Sequence, residues 1–158
     1  MNNLPVAAIC DDFPLRALLV SPEMNLDDIL EQSLEQTQSG AAIFLTNRNG
    51  SLAGIIDPTE MLIWGQMHLG LLPPPQKLTD RRLWRLARAH TAKDLALPNS
   101  HELKISAQTS VADAIKKLVS VHQAVVAVVD DEGRVFNDLY IYELMAYAVR
   151  HSKGDLHA

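Results

Sequence analysis

Asn49-Gly50-Ser51-Leu52-Ala53-Gly54-Ile55-Ile56-Asp57-Pro58-Thr59-Glu60-Met61-Leu62 and Glu132-Gly133-Arg134-Val135-Phe136-Asn137-Asp138-Leu139-Tyr140-Ile141-Tyr142-Glu143-Leu144-Met145 read as two copies of one pattern, 83 residues apart. Gly50 aligns with Gly133 and Glu60 with Glu143, and the apolar pairs Leu52/Val135 and Ile56/Leu139 coincide. In each copy a polar turn ends in Gly, an apolar strand returns from it, and a helix follows. Self-similarity at a fixed spacing marks a fold assembled from repeated supersecondary units.

The repeat extends upstream. Val20-Ser21-Pro22-Glu23-Met24-Asn25-Leu26-Asp27-Asp28-Ile29-Leu30 matches Ile105-Ser106-Ala107-Gln108-Thr109-Ser110-Val111-Ala112-Asp113-Ala114-Ile115 at an offset of 85. The loss of two residues between helix and hairpin is what a loop tolerates. Asn25 and Ser110 suit helix N-caps, with Asp28 and Asp113 three residues on. Leu26, Ile29, Leu30 and Leu34 then form one apolar stripe, and Val111, Ala114, Ile115, Leu118 and Val119 form the other. Strands are predicted over 41–45 and 124–129, returning strands over 52–56 and 134–140, and closing helices over 58–69 and 141–151. Leu72-Pro73-Pro74-Pro75 is a stiff, extended break. Thr79 caps a short helix over 80–89. Three segments follow: residues 1–70 as a first repeat with its lead-in, 71–100 as a basic connector, and 101–158 as a second repeat with a tail.

The order strand, capped helix, strand, Gly turn, strand, helix, given twice, resembles a tandem pair of CBS (cystathionine β-synthase) domains, the arrangement called a Bateman module. Residues 20–34 with 41–62, and 105–119 with 124–145, carry the resemblance, and Gly50-Ser51-Leu52-Ala53-Gly54-Ile55-Ile56 is its most family-like stretch. It covers the chain from about Leu15 to Val149. It implies an α/β (α+β) fold of two pseudo-symmetric β-α-β-β-α units whose small mixed sheets pack together, leaving clefts between the halves. It also implies a regulatory module that binds AMP, ADP or ATP in such a cleft and modulates a partner protein, here unknown. Such pairs commonly dimerise, so a homodimer is expected. The alternative is a CBS-pair scaffold without nucleotide, acting in dimerisation or docking.

In the family, a Ser or Thr just after the third strand and an Asp three residues later hold the ribose. Those positions are Asp57 and Glu60, with Thr59 between them, and Tyr140 and Glu143 in the second copy. The sequence departs from the pattern: the hydroxyl residue is lost in both copies, while a carboxylate three residues on is kept. A carboxylate accepts two hydrogen bonds from vicinal hydroxyls. Adenine would lie against Ile55 and Ile56, and Tyr140 would stack on a base or fill the cleft. Asp57-Pro58-Thr59-Glu60 also reads as an ordinary helix start, with Asp at the N-cap, Pro at N1 and Glu at N3.

Lys77, Arg81, Arg82, Arg85, Arg88 and Lys93 are six of the fourteen basic residues, opposed within that span only by Asp80. Arg81, Arg85 and Arg88 fall on one helical face, as contacts for ligand phosphates or an acidic partner. The same arginines equally read as a solvated face that pairs with the acidic remainder. Trp64 and Trp84 read as core or interface anchors, and Trp64 with Met61 and Met67 reads as part of a dimer surface.

The other signals exclude classes of function. A net charge of -5 argues against an electrostatic nucleic-acid binder. Ala124 to Val129, the purest apolar run, is far too short to cross a membrane. The first ten residues contain no Lys or Arg, so no secretory signal is expected. Cys10 is the single cysteine, which allows neither an internal disulfide nor a thiolate metal site, so a cytoplasmic setting is expected. The six histidines show no ligand spacing. No phosphate loop or nucleophile turn is present, and no enzyme, metal or required cofactor is expected.

Overall fold

A computed structural model describes residues 4–35, 41–70 and 79–155. The triple proline and Lys77 lie outside these residues. The chain divides into two compact units, Ala17–Glu102, and Met1–Arg16 with Leu103–Ala158.

The first unit holds β1 (Leu18–Val20), α2 (Leu26–Glu35), β2 (Ile43–Thr46), β3 (Leu52–Ile56), α3 (Pro58–Leu69), α4 (Asp80–Arg88) and α5 (Ala92–Leu95). The second holds α1 (Ala7–Cys10), β4 (Lys104–Ser106), α6 (Val111–Val121), β5 (Val125–Val129), β6 (Val135–Tyr140) and α7 (Ile141–Asp155). Each sheet has three strands in sequence order, the first pair parallel and the second antiparallel. Leu45 pairs with Gly54 and Val128 with Asn137, and a register shift follows at Leu45/Thr46 and again at Val128/Val129. The 83-residue repeat is thus kept down to the bulge.

The turns form as read. Gly50 has φ 85° and Gly133 φ 80°, conformations open to glycine without strain. Asn47 N–H donates to Ser51 O and Asp130 N–H to Arg134 O, closing the two hairpins alike. Helix α3 starts at Pro58 with the Asp57 carboxylate accepting from Thr59 N at 2.8 Å. Helix α6 starts after Ser110, whose hydroxyl accepts from Asp113 N. Helix α4 spans one residue less than expected, and α7 runs four residues beyond 151.

The apolar stripes fill two separate cores. Leu18, Val20, Leu26, Ile29, Leu45 and Ile56 pack in one unit, and Ile105, Val111, Ala114, Leu118, Val126 and Leu139 in the other. Each fully buried side chain of this size contributes roughly 2 kcal/mol. The stripes stop short of their predicted ends, because Leu34 and Val119 are exposed.

The grouping of segments differs from the linear one. Residues 4–16 pack with the second repeat, and the described part of the connector packs with the first. Two parallel sets of backbone bonds show why. Val6 N–H donates to Thr109 O, Ala7 N–H to Ala107 O, and Val111 N–H to Leu4 O. In the first unit Ala92 N–H donates to Met24 O, Lys93 N–H to Pro22 O, and Leu26 N–H to His90 O. Residues 4–16 and 90–102 are therefore equivalent leading segments, each docked against the other repeat's first strand and helix. The weak signal was Val6 and Ile9 against Ala92 and Leu95, all four completely buried.

Candidate functional site

Both candidate sites lie where the last strand of a repeat turns into its closing helix. At the first, β3 ends at Ile56 and α3 begins at Pro58. Asp57 is half-buried and spends one carboxylate oxygen on the cap, while Thr59 is exposed. Glu60, at the third helical position, is buried. Its Oε1 accepts from Arg82 Nη2, and its Oε2 accepts from Arg85 Nη2 at 3.2 Å. Helix α4 brings the arginines in, because Leu86 and Ala89 are buried in the core and Arg82 and Arg85 flank them. The Trp64 indole N–H donates to Ala89 O and fixes the end of α4.

The structure sorts the residues singled out around this junction. Arg82 joins Arg85 at Glu60, whereas Arg81 and Arg88 point to solvent, and the Arg88 guanidinium lies over the Trp84 ring at 4.9 Å. Trp64 and Met61 are buried and do not form an exposed dimer surface. Trp64 is held by the indole bond and stacks on His68 at 4.7 Å. Ile55 and Ile56 are both buried, and Ile56 belongs to the core of the first unit.

At the second junction β6 ends at Tyr140 and α7 begins at Ile141. Glu143 Oε1 accepts from Tyr140 N at 3.2 Å and from Arg16 Nη2 at 2.5 Å. Arg16 comes from the leading segment, 127 residues away. Its backbone N–H donates to Asp138 Oδ1 at 2.9 Å, and its guanidinium lies 4.9 Å from the Tyr140 ring centroid and 5.5 Å from that of Phe13. Asp138 is completely buried. Asp138 Oδ2, Glu143 Oε2 and Arg16 Nε are buried and make no hydrogen bond within the chain. Arg16 and Asp138 were not singled out from the sequence, since no local spacing links them.

The two junctions share one plan. A carboxylate at an equivalent position is neutralised by arginine from a segment outside the repeat's own strands. The exposed edge of each last strand is covered too. Leu97 N–H donates to Ile55 O at 2.9 Å, and Ile55 N–H donates to Ser100 Oγ at 2.8 Å. In the second unit Asn137 Nδ2 donates to Phe13 O at 2.8 Å.

A cavity of about 390 Å³ lies elsewhere in the first unit, lined by Val20, Ser21, Pro22, Thr46, Asn47 and Arg48 among others. It sits at the carboxyl ends of β1 and β2. Strand β3 runs antiparallel to β2, which puts Asp57 at the opposite end of the sheet. Burial, the largest influence, pushes the Cys10 thiol above its ordinary pKa, which suits an inert half-buried thiol. Among the described residues no group of three or more His, Cys, Asp or Glu side chains is placed to hold a metal ion. No helix among them is long and apolar enough to cross a membrane.

No family model and no curated protein matches the chain. Solved structures do. CBSX2 of Arabidopsis thaliana, in complex with AMP, superposes with a TM-score of 0.61 at 19% identity, over 94% of this chain and 98% of that one. A CBS domain-containing protein from Thermotoga maritima superposes at 0.63 and 18% identity, over 93% and 95%. A CBS-domain pair in complex with 5′-methylthioadenosine and S-adenosyl-L-methionine superposes at 0.62 and 12% identity, over 93% and 97%.

Proposed function

We propose, from the premise that the chain folds as a tandem CBS-domain pair, that it is a regulatory module sensing an adenosine nucleotide, AMP, ADP or ATP. The observation carrying this reading is the buried Glu60 carboxylate, placed three residues after the strand end and flanked by Arg82 and Arg85. Its oxygens suit the two ribose hydroxyls, and the guanidinium donors suit phosphate. Thr59 adds an exposed hydroxyl and Asp57 a second carboxylate at the same helix start. Tyr140 and Glu143 hold the equivalent place in the second repeat, and Arg81 and Arg88 remain contacts for an acidic partner. AMP bound to a protein of the same fold supports the choice of ligand. Regulation follows by linkage: a nucleotide that binds one conformation better shifts the population toward it, and a partner reads the change. No catalytic step is assigned, and the setting is taken as cytoplasmic.

Calorimetry with AMP, ADP and ATP tests the reading, with saturable heat expected for at least one of them. Glu60→Gln keeps the shape and one acceptor, and is expected to weaken binding about tenfold. Unchanged affinity would remove Glu60 from the site. A second reading, a scaffold without nucleotide, is favoured by one observation: Glu60 and Glu143 are already paired internally. No heat and no thermal shift at millimolar nucleotide would select it.

A homodimer belongs to the proposal under both readings. The Trp64 face does not supply it; each unit offers exposed apolar residues of its own, Leu62 and Leu69 on α3, and Tyr142, Met145 and Val149 on α7. Leu62 and Met145 are equivalent in the repeat. Sedimentation at micromolar concentration is expected to show a dimer, and the double variant Leu62→Glu/Met145→Glu a monomer; a wild-type monomer at high micromolar concentration sinks this expectation.

A further inference from the structure

We propose that the two junctions discriminate adenosine ligands by charge: the Glu60 end takes a phosphate-bearing ligand, and the Glu143 end takes a non-phosphorylated adenosine. This rests on the adenosine reading above and adds which compound goes where.

The equivalent carboxylates sit in opposite surroundings. At the first junction Glu60 faces Arg82 and Arg85. Each arginine makes one hydrogen bond to Glu60, and about a third of each side chain is exposed, 37% for Arg82 and 32% for Arg85. A guanidinium carries five N–H donors in a fork that fits phosphate. The uncommitted groups at this end are therefore cationic donors. Asp57 is engaged in capping α3.

At the second junction Asp138 and Glu143 face a single arginine, Arg16, and Tyr140 stands where the first repeat has Asp57. Here Glu143 Oε2 is a buried acceptor with no hydrogen bond within the chain, and Asp138 Oδ2, on a completely buried side chain, meets Arg16 Nε only as an ion pair at 4.0 Å. Arg16 covers them with about a fifth of its side chain exposed. A ligand that displaces that guanidinium meets two carboxylates without another counter-charge at this junction. Ribose hydroxyls satisfy such oxygens as donors. A phosphate brought to the same end meets like charge in a partly desolvated place and is rejected.

Titration calorimetry on the full chain tests this with AMP and adenosine. Adenosine is expected to bind a chain already saturated with AMP. Arg82→Gln/Arg85→Gln is expected to lower AMP affinity about tenfold and leave adenosine binding in place. Glu143→Gln is expected to do the reverse, weakening adenosine and admitting a second AMP; Asp138→Asn gives the same readout independently. The proposal is overturned if AMP excludes adenosine, if the wild type takes two AMP with equal affinity, or if the arginine variant weakens both ligands alike. No binding of either compound removes the functional reading as well, whereas AMP binding without discrimination removes only this one.

Discussion

Arg16→Ala is expected to lower the unfolding free energy by about 3 kcal/mol. Arg16 is the one cation bonded to Glu143, and its main chain anchors Asp138. The variant leaves the Glu143 carboxylate and the completely buried Asp138 without a counter-charge. An ionised carboxylate out of water and without a partner is among the costliest groups a core can hold. The aliphatic stem lying against Phe13 and Tyr140 is lost at the same time. Urea unfolding measures the loss. Adding Asp138→Asn and Glu143→Gln to the variant is expected to recover part of it, since neutral amides need no counter-charge. A loss under about 0.5 kcal/mol, the size of an exposed pair, would show that the cluster is solvated and not buried. The contrast with the first junction sharpens the test: Arg82→Ala still leaves Arg85 on Glu60 and should cost less.

Gly54→Val is expected to be the second severe variant, at about 3 kcal/mol. A Cβ on Gly54 would stand 3.1 Å from Ala96 Cβ and 3.3 Å from Ser100 Oγ. Residues 96–100 run so close to β3 because Ile55 exchanges bonds with Leu97 and Ser100. A branched side chain pushes that segment off the strand edge, and the buried Ile55 amide then loses its partner. Ser100→Ala removes the same partner without the clash and is expected to cost only about 1–2 kcal/mol. Denaturation, together with amide exchange at Ile55, separates the two effects. Wild-type stability in Gly54→Val would mean that the segment is not held against β3.

Much of each repeat was legible because its signals are local. The Gly50 and Gly133 turns, the Asp57-Pro58 helix start and the Ser110 cap each depend on residues within about one helical turn of one another. The alternation of apolar residues then places the strands between them. The candidate carboxylates were legible as well, by their equal position in the two copies. Their environment was not. That Arg82 joins Arg85 on Glu60 was not legible, because a helix of nine residues with arginines on several sides does not announce which one faces inward. Trp64 reads from the sequence as either core or interface because α3 is apolar all round, and only the packing of α4 against it shows which side is covered.

The sequence by itself determined two β-α-β-β-α repeats, their turns, their helix starts and a carboxylate at the same place in each. Only the tertiary structure decided which repeat each leading segment joins and which arginine neutralises each carboxylate. Helices of four residues such as α1 and α5 cannot persist alone. They exist because Val6 and Ile9, or Ala92 and Leu95, find a core to enter. Nothing in the residues nearby says which core that is. The choice is made by burial and charge pairing between residues as far apart as Arg16 and Glu143, where local pattern carries no information.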